Sequence, residues 1–258
     1  GRHEHRVAGR AHGRRRPVVS GTELSAGARL RAAVAHHAPL QTAMSAKAQG
    51  SDYILNGTKV LVLDISAAHT FIVIARTAGT PGDEQGLSAF LVDAATPGLT
   101  LERRSLVDSR NVGALVLEDC RISASKLLGA PGEAWGGLSR ALDIANIGLA
   151  AELLGLSTEA FERTVAYLKD RKQFGRVIGS FQGLQHRAAE LFAELELARS
   201  IVLQALHAID NGERELSVMA SAAKAKLCEV AQLATNEAIQ MHGGVGMTDE
   251  FEIGFFIK

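Results

Sequence analysis

The sequence predicts an α+β chain, with a small antiparallel β-barrel or sandwich domain followed by an antiparallel up-down helical bundle. Three observations carry that prediction. Between residue 51 and about residue 129, short β-favouring runs are separated by Gly, Pro, Asp or Ser, with no helical pattern between them. After Pro131-Gly132 the composition turns Ala/Leu-rich and the apolar residues fall at helical spacing. Successive long helical stretches joined by short turns then call for an antiparallel bundle.

Taken in order, residues 1–32 open with GRHEHRVAGRAHGRRRPVVS and crowd arginines and histidines without apolar periodicity. This atypical basic segment is expected to be disordered or artefactual. It leaves three readings open: a nucleic-acid arm, a transit peptide, or the end of a truncated or frame-shifted gene. His3, His5 and His12 read as solvated tail histidines. The middle β domain is placed at 33–130. In DYILNGTKVLVLD, Asn56-Gly57 lies between apolar runs and signals a hairpin. Strands are then expected at TFIVIAR (70–76), LSAFLVD (87–93), LTLERR (99–104) and ALVLED (114–119). The helical bundle occupies 131–258. Its first helix runs over 135–169, and in the second Phe181, Leu184, Ala188, Leu191, Leu195, Ala198 and Val202 share one face. Asp210-Asn211-Gly212 stops the second helix, and the third runs over 216–242 to Gly243-Gly244. FEIGFFIK, which follows, carries apolar residues that need further partners, so the carboxyl end is expected to be cut rather than capped.

With 47% hydrophobic residues, 22% charged residues and a net charge of +0 over 258 residues, the composition is that of a folded chain. No global field draws it to nucleic acid or to a membrane surface, so neither partner is expected. No apolar run approaches the length of a membrane span. Cys120 and Cys228 lack a C-x-x-C spacing, so neither a disulfide framework nor a metal site is expected, and a cytoplasmic location follows by default.

Residue types unsuited to a helix core gather at the helix ends, in RKQFGRVIGSFQGLQ (171–185) and QMHGGVG (240–246). Arg171 offers a forked guanidinium for a phosphate or carboxylate, Phe174 a face for a planar ring, and Gly175 room for a ligand beside the backbone. Gln182, Gln185 and Gln240 present amides that both donate and accept, and Gly243-Gly244 exposes backbone. Each item also has a plainer reading, as helix C-terminal charge, core, solvated surface or stop signal. Their joint occurrence favours a ligand site.

RKQFG, then FQGLQ, then an Ala-rich helix ending in QMHGGVGM resembles the carboxy-terminal bundle of acyl-CoA dehydrogenases. LNGTK with the strand-rich run after it resembles their middle domain, and the resemblance covers roughly residues 51–258. It implies an FAD site shared between subunits of a homo- or hetero-oligomer, with acyl-CoA as substrate and an electron-transfer flavoprotein as electron acceptor. Residues matching Arg171 and Phe174 approach the adenosine-pyrophosphate of FAD on a neighbouring subunit, and those matching Gln182, Gln240, Gly243 and Gly244 help to hold it. The resemblance also places Leu61, Val62, Leu63 and Asp64 near the isoalloxazine, although relatives often carry Trp or Phe at the first of these positions and Ser or Thr at the third. No G-x-G-x-x-G follows a strand, so a Rossmann site is not expected.

The implied reaction removes the α-proton of a thioester while the β-hydride passes to the flavin, and it needs a positioned carboxylate. In most relatives that base lies in a Tyr-Glu-Gly loop after the glycine pair, and no such loop precedes Lys258. In others it lies on the first bundle helix beside an arginine, where alignment on RKQFG finds Ala145 and Asn146. Asp143 and Glu152 share that helix but read as solvated or helix-pairing groups. No catalytic residue is therefore named. Residues 1–32 do not supply the family's amino-terminal helical domain, and His36-His37 stand where relatives often show an acidic residue. Two readings stay open, a fragment of an acyl-CoA dehydrogenase lacking its base, or a non-catalytic partner subunit of a heteromeric one.

Overall fold

Strand-forming sequence collects in the first of two units, residues 1–136, and helix-forming sequence in the second, residues 137–258. The computed structural model describes residues 18–19, 38–106, 110–212 and 215–257. Apart from Val18–Val19, the basic segment at 1–32 lies outside the described residues, as do His36-His37.

The first unit holds β1 (Val18–Val19), β2 (Ser45–Gln49), β3 (Asp52–Leu63), β4 (Thr70–Arg76), β5 (Leu87–Asp93), β6 (Leu99–Ser105), β7 (Asn111–Ser123) and β8 (Leu127–Leu128). They form one sheet in the order β6-β7-β3-β2-β4-β5-β8, with β1 added beside β4. Neighbours are antiparallel except β1–β4 and β2–β4, so the sheet is mixed. Among the described residues the path ends at β6 and β8 and does not close into a barrel, while a sandwich is compatible with it. The halves join at the single pair Ser45↔Arg76. Leu55, Leu115 and Leu117 from one half, and Phe71, Val73 and Phe90 from the other, bury their side chains in one core.

The structure corrects the hairpin expected at Asn56-Gly57. Both residues lie inside β3, which pairs with β7 on either side of a register shift between Leu55 and Gly57. The turn that opens β3 is instead at Gly50-Ser51, where Gln49 faces Asp52. Gly57 has φ 140, and a Cβ there would come within 3.2 Å of the Met44 backbone, so the glycine serves a bulge against a neighbouring segment rather than a turn. Asn56 fixes the bulge. Its Oδ1 accepts from the Asp119 N–H at 2.8 Å and its Nδ2 donates to Asp119 Oδ1 at 3.1 Å.

Arg76, 7% exposed, faces no carboxylate across its hydrogen bonds. Its Nε donates to Thr42 O at 3.0 Å, Nη1 to Gln85 O at 3.2 Å, and Nη2 to Leu40 O and Asp83 O at 2.6 and 2.9 Å. Four carbonyls from two connecting segments thus converge on one planar fork, a task suited to guanidinium geometry.

The second unit holds α1 (Trp135–Asp170), β9 (Lys172–Gln173), β10 (Arg176–Val177), α2 (Gln182–Asn211) and α3 (Leu216–His242). Gly212 ends α2 in the left-handed conformation at φ 64, its N–H reaching Ala208 O and Ile209 O. Arg187 grips Glu237 through two bonds of 2.6 and 2.8 Å, and Lys226 bonds Glu194, a register that only antiparallel helices allow. Leu191, Leu195, Ala198 and Val202 of α2 meet Ala220, Ala223, Leu227 and Ala234 of α3 in a core to which α1 adds Ile147, Ala150 and Leu168. α1 is long and apolar enough to cross a membrane by composition alone, but it packs here as the first helix of the bundle. Of the carboxyl-terminal apolar residues, Ile253 is buried beside Ala160 and Ala238, and the Phe256 ring lies 5.5 Å beneath the Arg163 guanidinium. Phe255 and Ile257 remain exposed.

Arg76→Met should strip four carbonyls of their donor and cost about 2–4 kcal/mol, read as the shift in urea midpoint, because each buried group left unpaired costs roughly 1–3 kcal/mol before relaxation and water entry. Arg76→Lys should recover only part, having no planar fork.

Candidate functional site

The up-down-up order brings the last turn of α1, the first turn of α2 and the last turn of α3 to one end of the bundle. β9 and β10 bridge α1 to α2 as a two-residue hairpin, with Lys172 facing Val177 and Gln173 facing Arg176. Its corner is Phe174-Gly175, at φ 54 and 77. Two positive φ values make the mirror-image turn that suits a hairpin and that normally selects Asn-Gly. A phenylalanine there is strained by its Cβ, and it is 89% exposed. Gly175 is explained by φ alone, since nothing lies within 4 Å of a Cβ built on it. Phe174 stands edge-on to Phe181 at 6.1 Å, and the Arg176 guanidinium covers the Phe181 ring at 4.0 Å.

Between these ends opens a cavity of about 420 Å³ whose lining includes Arg171, Phe174, Phe181, Gln240, Gly243 and Gly244. Five of the six predicted site residues therefore meet around one space. Gln182, the exposed first residue of α2, does not line it. Gln185 turns away to the preceding loop, donating to Gly179 O at 2.9 Å. Arg171 forms no ion pair with a described residue and extends into a second cavity of about 720 Å³ beside Asp170, Glu250 and Phe251. Gly243 caps α3 at φ 67 and ψ −143, a conformation open to glycine alone, with its N–H directed at Gln240 O and Ile239 O. Gly244 has no positive φ, and a Cβ there would meet nothing within 4 Å. Neither strain nor internal packing accounts for that glycine.

The sequence reading passed over the residues that hold this end together. Tyr167 stacks on His242 at 4.2 Å, and Phe251 packs against both, at 5.7 and 5.0 Å. The Tyr167 hydroxyl donates to His242 O at 3.4 Å. His242, 4% exposed, has Nδ1 2.7 Å from Ala238 O. A carbonyl only accepts, so Nδ1 carries the proton and Nε2 is a bare acceptor, buried and without a described partner. Burial pushes the imidazole pKa down, and the Ala238 bond offsets this in part. The spacing of Tyr167 and Arg171, one helical turn apart, was the available signal for the tyrosine.

In the first unit, Leu61 falls where β3 slips its register against β7, between Lys59 and Val62, while Val62 and Leu63 pair with Gly113 and Val112 after the slip and Asp64 follows the end of β3. Leu61 and Asp64 adopt φ 55 and 54. The slip buries Val62 and leaves Leu61 and Leu63 47% and 53% exposed. The Asp64 N–H is spent on Asn111 O at 2.7 Å. On α1, Ala145 and Glu152 are exposed, while Asp143 and Asn146 are half-buried. No group of His, Cys, Asp and Glu suited to a metal ion occurs among the described residues.

Residues 132–257 match the acyl-CoA dehydrogenase C-terminal domain, and residues 21–120 match the middle domain of the same family. The chain belongs to the acyl-CoA dehydrogenase family. The Bacillus subtilis protein named "Probable acyl-CoA dehydrogenase YngJ" is 36% identical over 215 residues, 82% of this chain and 56% of that protein. The mitochondrial short/branched chain specific acyl-CoA dehydrogenase of Rattus norvegicus is 34% identical over 81% of this chain and 49% of its own length. The chain thus spans about half the length of the curated relatives it matches. Butyryl-CoA dehydrogenase from Megasphaera elsdenii superposes with a TM-score of 0.83 at 28% identity, over 93% of this chain and 61% of that one. The Tcur3481-Tcur3483 steroid ACAD superposes with a TM-score of 0.74 at 30% identity, over 94% and 60%.

Two substitutions should separate strain from packing at this end of the bundle. Phe174→Asn should raise stability by roughly 0.5–1 kcal/mol, since Asn tolerates the turn that Phe resists. Gly243→Ala should lower it by about 1–3 kcal/mol through its backbone conformation alone. Thermal unfolding read on the helical signal checks both.

Proposed function

We propose that this acyl-CoA dehydrogenase chain is part of an FAD-dependent enzyme that forms the α,β double bond of an acyl-CoA thioester. Its helix-end cavity takes the adenosine-pyrophosphate end of FAD. The observation that most supports this is the convergence of Arg171, Phe174, Gln240, Gly243 and Gly244 on one space.

The residues present fit the group. A guanidinium with no ion-pair partner among the described residues suits a pyrophosphate, and an exposed aromatic face suits a heterocycle. Backbone that would admit a Cβ at Gly243 and Gly244 without contact leaves room for a phosphate or ribose against the chain. Gln182, at the start of α2, is assigned an outer contact with the same cofactor. Bound FAD supplies the acceptor for the β-hydride. In the first unit, Leu61 and Leu63 offer an apolar shelf for the isoalloxazine, with dispersion in place of aromatic stacking. The cofactor site is proposed to be shared between subunits, electrons to leave through an electron-transfer flavoprotein, and the protein to act in the cytoplasm.

A specific observation favours a second reading, that of a non-catalytic partner subunit in a heteromeric acyl-CoA dehydrogenase. Ala145 and Asn146 carry no carboxylate where some relatives place their base, and the chain is similar to a steroid ACAD. A homomeric preparation that dehydrogenates acyl-CoA unaided eliminates this reading.

The purified chain should take up FAD, seen as quenching and a shift of the flavin spectrum, and a preparation left colourless by excess FAD would refute the cofactor assignment. Arg171→Met should weaken binding about tenfold or more, because a charge-assisted bond contributes roughly 1.5–3 kcal/mol, and it should flatten the salt dependence. Gly244→Val should block FAD while the free energy of unfolding stays within about 1 kcal/mol of the original, since an exposed substitution there meets no internal packing.

A further inference from the structure

The buried His242 Nε2 has no role in the site as described so far. We infer that His242 is a positioning residue for the cofactor cradle: its uncharged ring, held between Tyr167 and Phe251, fixes the Gly243-Gly244 backbone, and proton uptake from solvent onto Nε2 loosens that backbone and releases FAD. This rests on the reading of the cavity as the FAD seat.

The geometry carries the argument. His242 is the last residue of α3, and Gly243 and Gly244 follow it directly. Three bonds or contacts fix it from three directions: Ala238 O on its own helix, the Tyr167 ring and hydroxyl on α1, and the Phe251 ring beyond the cradle. With Nδ1–H already donating to Ala238, a proton on Nε2 would create a cationic ring whose new N–H points at no described acceptor.

The charged and titratable groups around it do not relieve this. Tyr167 meets the imidazole face to face, leaving its hydroxyl on the His242 carbonyl. Asp170 and Glu250 line the larger cavity with Tyr167, Arg171 also shares the smaller cavity with His242 but can only donate, and Glu252 is taken by Arg163. On α2 and α3, Arg187 and Glu237 bond each other. The imidazole therefore stays neutral until it can leave its pocket, in keeping with a pKa pushed below the ordinary 6.5 by burial. The sign follows. A His with a lowered folded-state pKa adds stability that is fully present above 6.5 and is lost as pH falls through the lowered value. The element lost first is the one that the ring holds, the α3 cap.

Amide hydrogen exchange of Gly243 and Gly244 in the FAD-free chain, corrected for the intrinsic rate, tests the inference between pH 8 and 5. Protection should fall by up to tenfold per pH unit as pH drops from 6.5 toward the lowered His242 midpoint in the original chain, level off below that midpoint, and stay flat in His242→Phe. Parallel profiles in the two proteins would overturn it. Should His242→Phe fail to fold, the ring resonances of His242 in the original chain decide, since the loss of Gly243 protection must level off at the ring's own midpoint and a separate midpoint sinks the coupling. FAD titrations over the same range should show affinity falling about tenfold per unit in the original chain alone. Exchange that follows the prediction with FAD affinity unchanged by pH would refute the cradle's role in binding. No FAD binding at pH 8 would refute the cofactor reading, while the exchange data still decide whether His242 controls the α3 cap.

Discussion

At the last turns of α1 and α3, Tyr167 stacks on His242 at 4.2 Å. Everything else at that end of the second unit is placed relative to this pair. The hairpin β9–β10 leaves α1 four residues after Tyr167 and folds back on it, with Ile178 N–H donating to Arg171 O at 2.9 Å. Gly243 starts the residue after His242. Arg171 lies one turn beyond Tyr167, so its guanidinium and the open glycine backbone fall on the same cavity.

Each unit holds residues in conformations that their side chains do not favour. Phe174 occupies a turn conformation that Asn or Gly would adopt more readily, and it exposes nearly all of its surface. Leu61 takes a left-handed conformation where β3 slips its register, and Asp64 takes another just past the end of β3. Strained or exposed apolar residues persist where the surroundings over-determine them, and they concentrate at ligand sites. The stabilising work is done elsewhere. In the first unit Arg76 ties four carbonyls together, and in the second the alanines of α3 admit α2 closely while Arg187 and Glu237 set the register.

Glycine shows how one residue type answers to different forces. Gly57 was read as half of a hairpin turn because Asn-Gly between apolar runs is a strong local signal. Pairing with β7 on both sides of it outweighed that preference, and the close approach of Met44 gives the glycine a packing reason instead. Gly175, Gly212 and Gly243 are demanded by backbone conformation. Gly244 is demanded by neither, being exposed with nothing within 4 Å of a Cβ built on it.

By itself the sequence determined the local elements, because those depend on short-range periodicity and stop signals. β4 and β5 begin and end where TFIVIAR and LSAFLVD place them, and α3 runs from Leu216 to His242 as Gly243-Gly244 implies. The sequence also placed five residues that line the cavity in one candidate site, since RKQFG and QMHGG are unusual as helix ends. What only the tertiary structure decided was partnership. That β3 would run through Asn56-Gly57, that the sheet would stay open at β6 and β8, and that Gln182 would lie outside the cavity all turn on long-range pairing. Tyr167 and His242, 75 residues apart in the chain, are joined by a ring stack and a hydroxyl-to-carbonyl bond, and no local pattern records a contact between two helix ends.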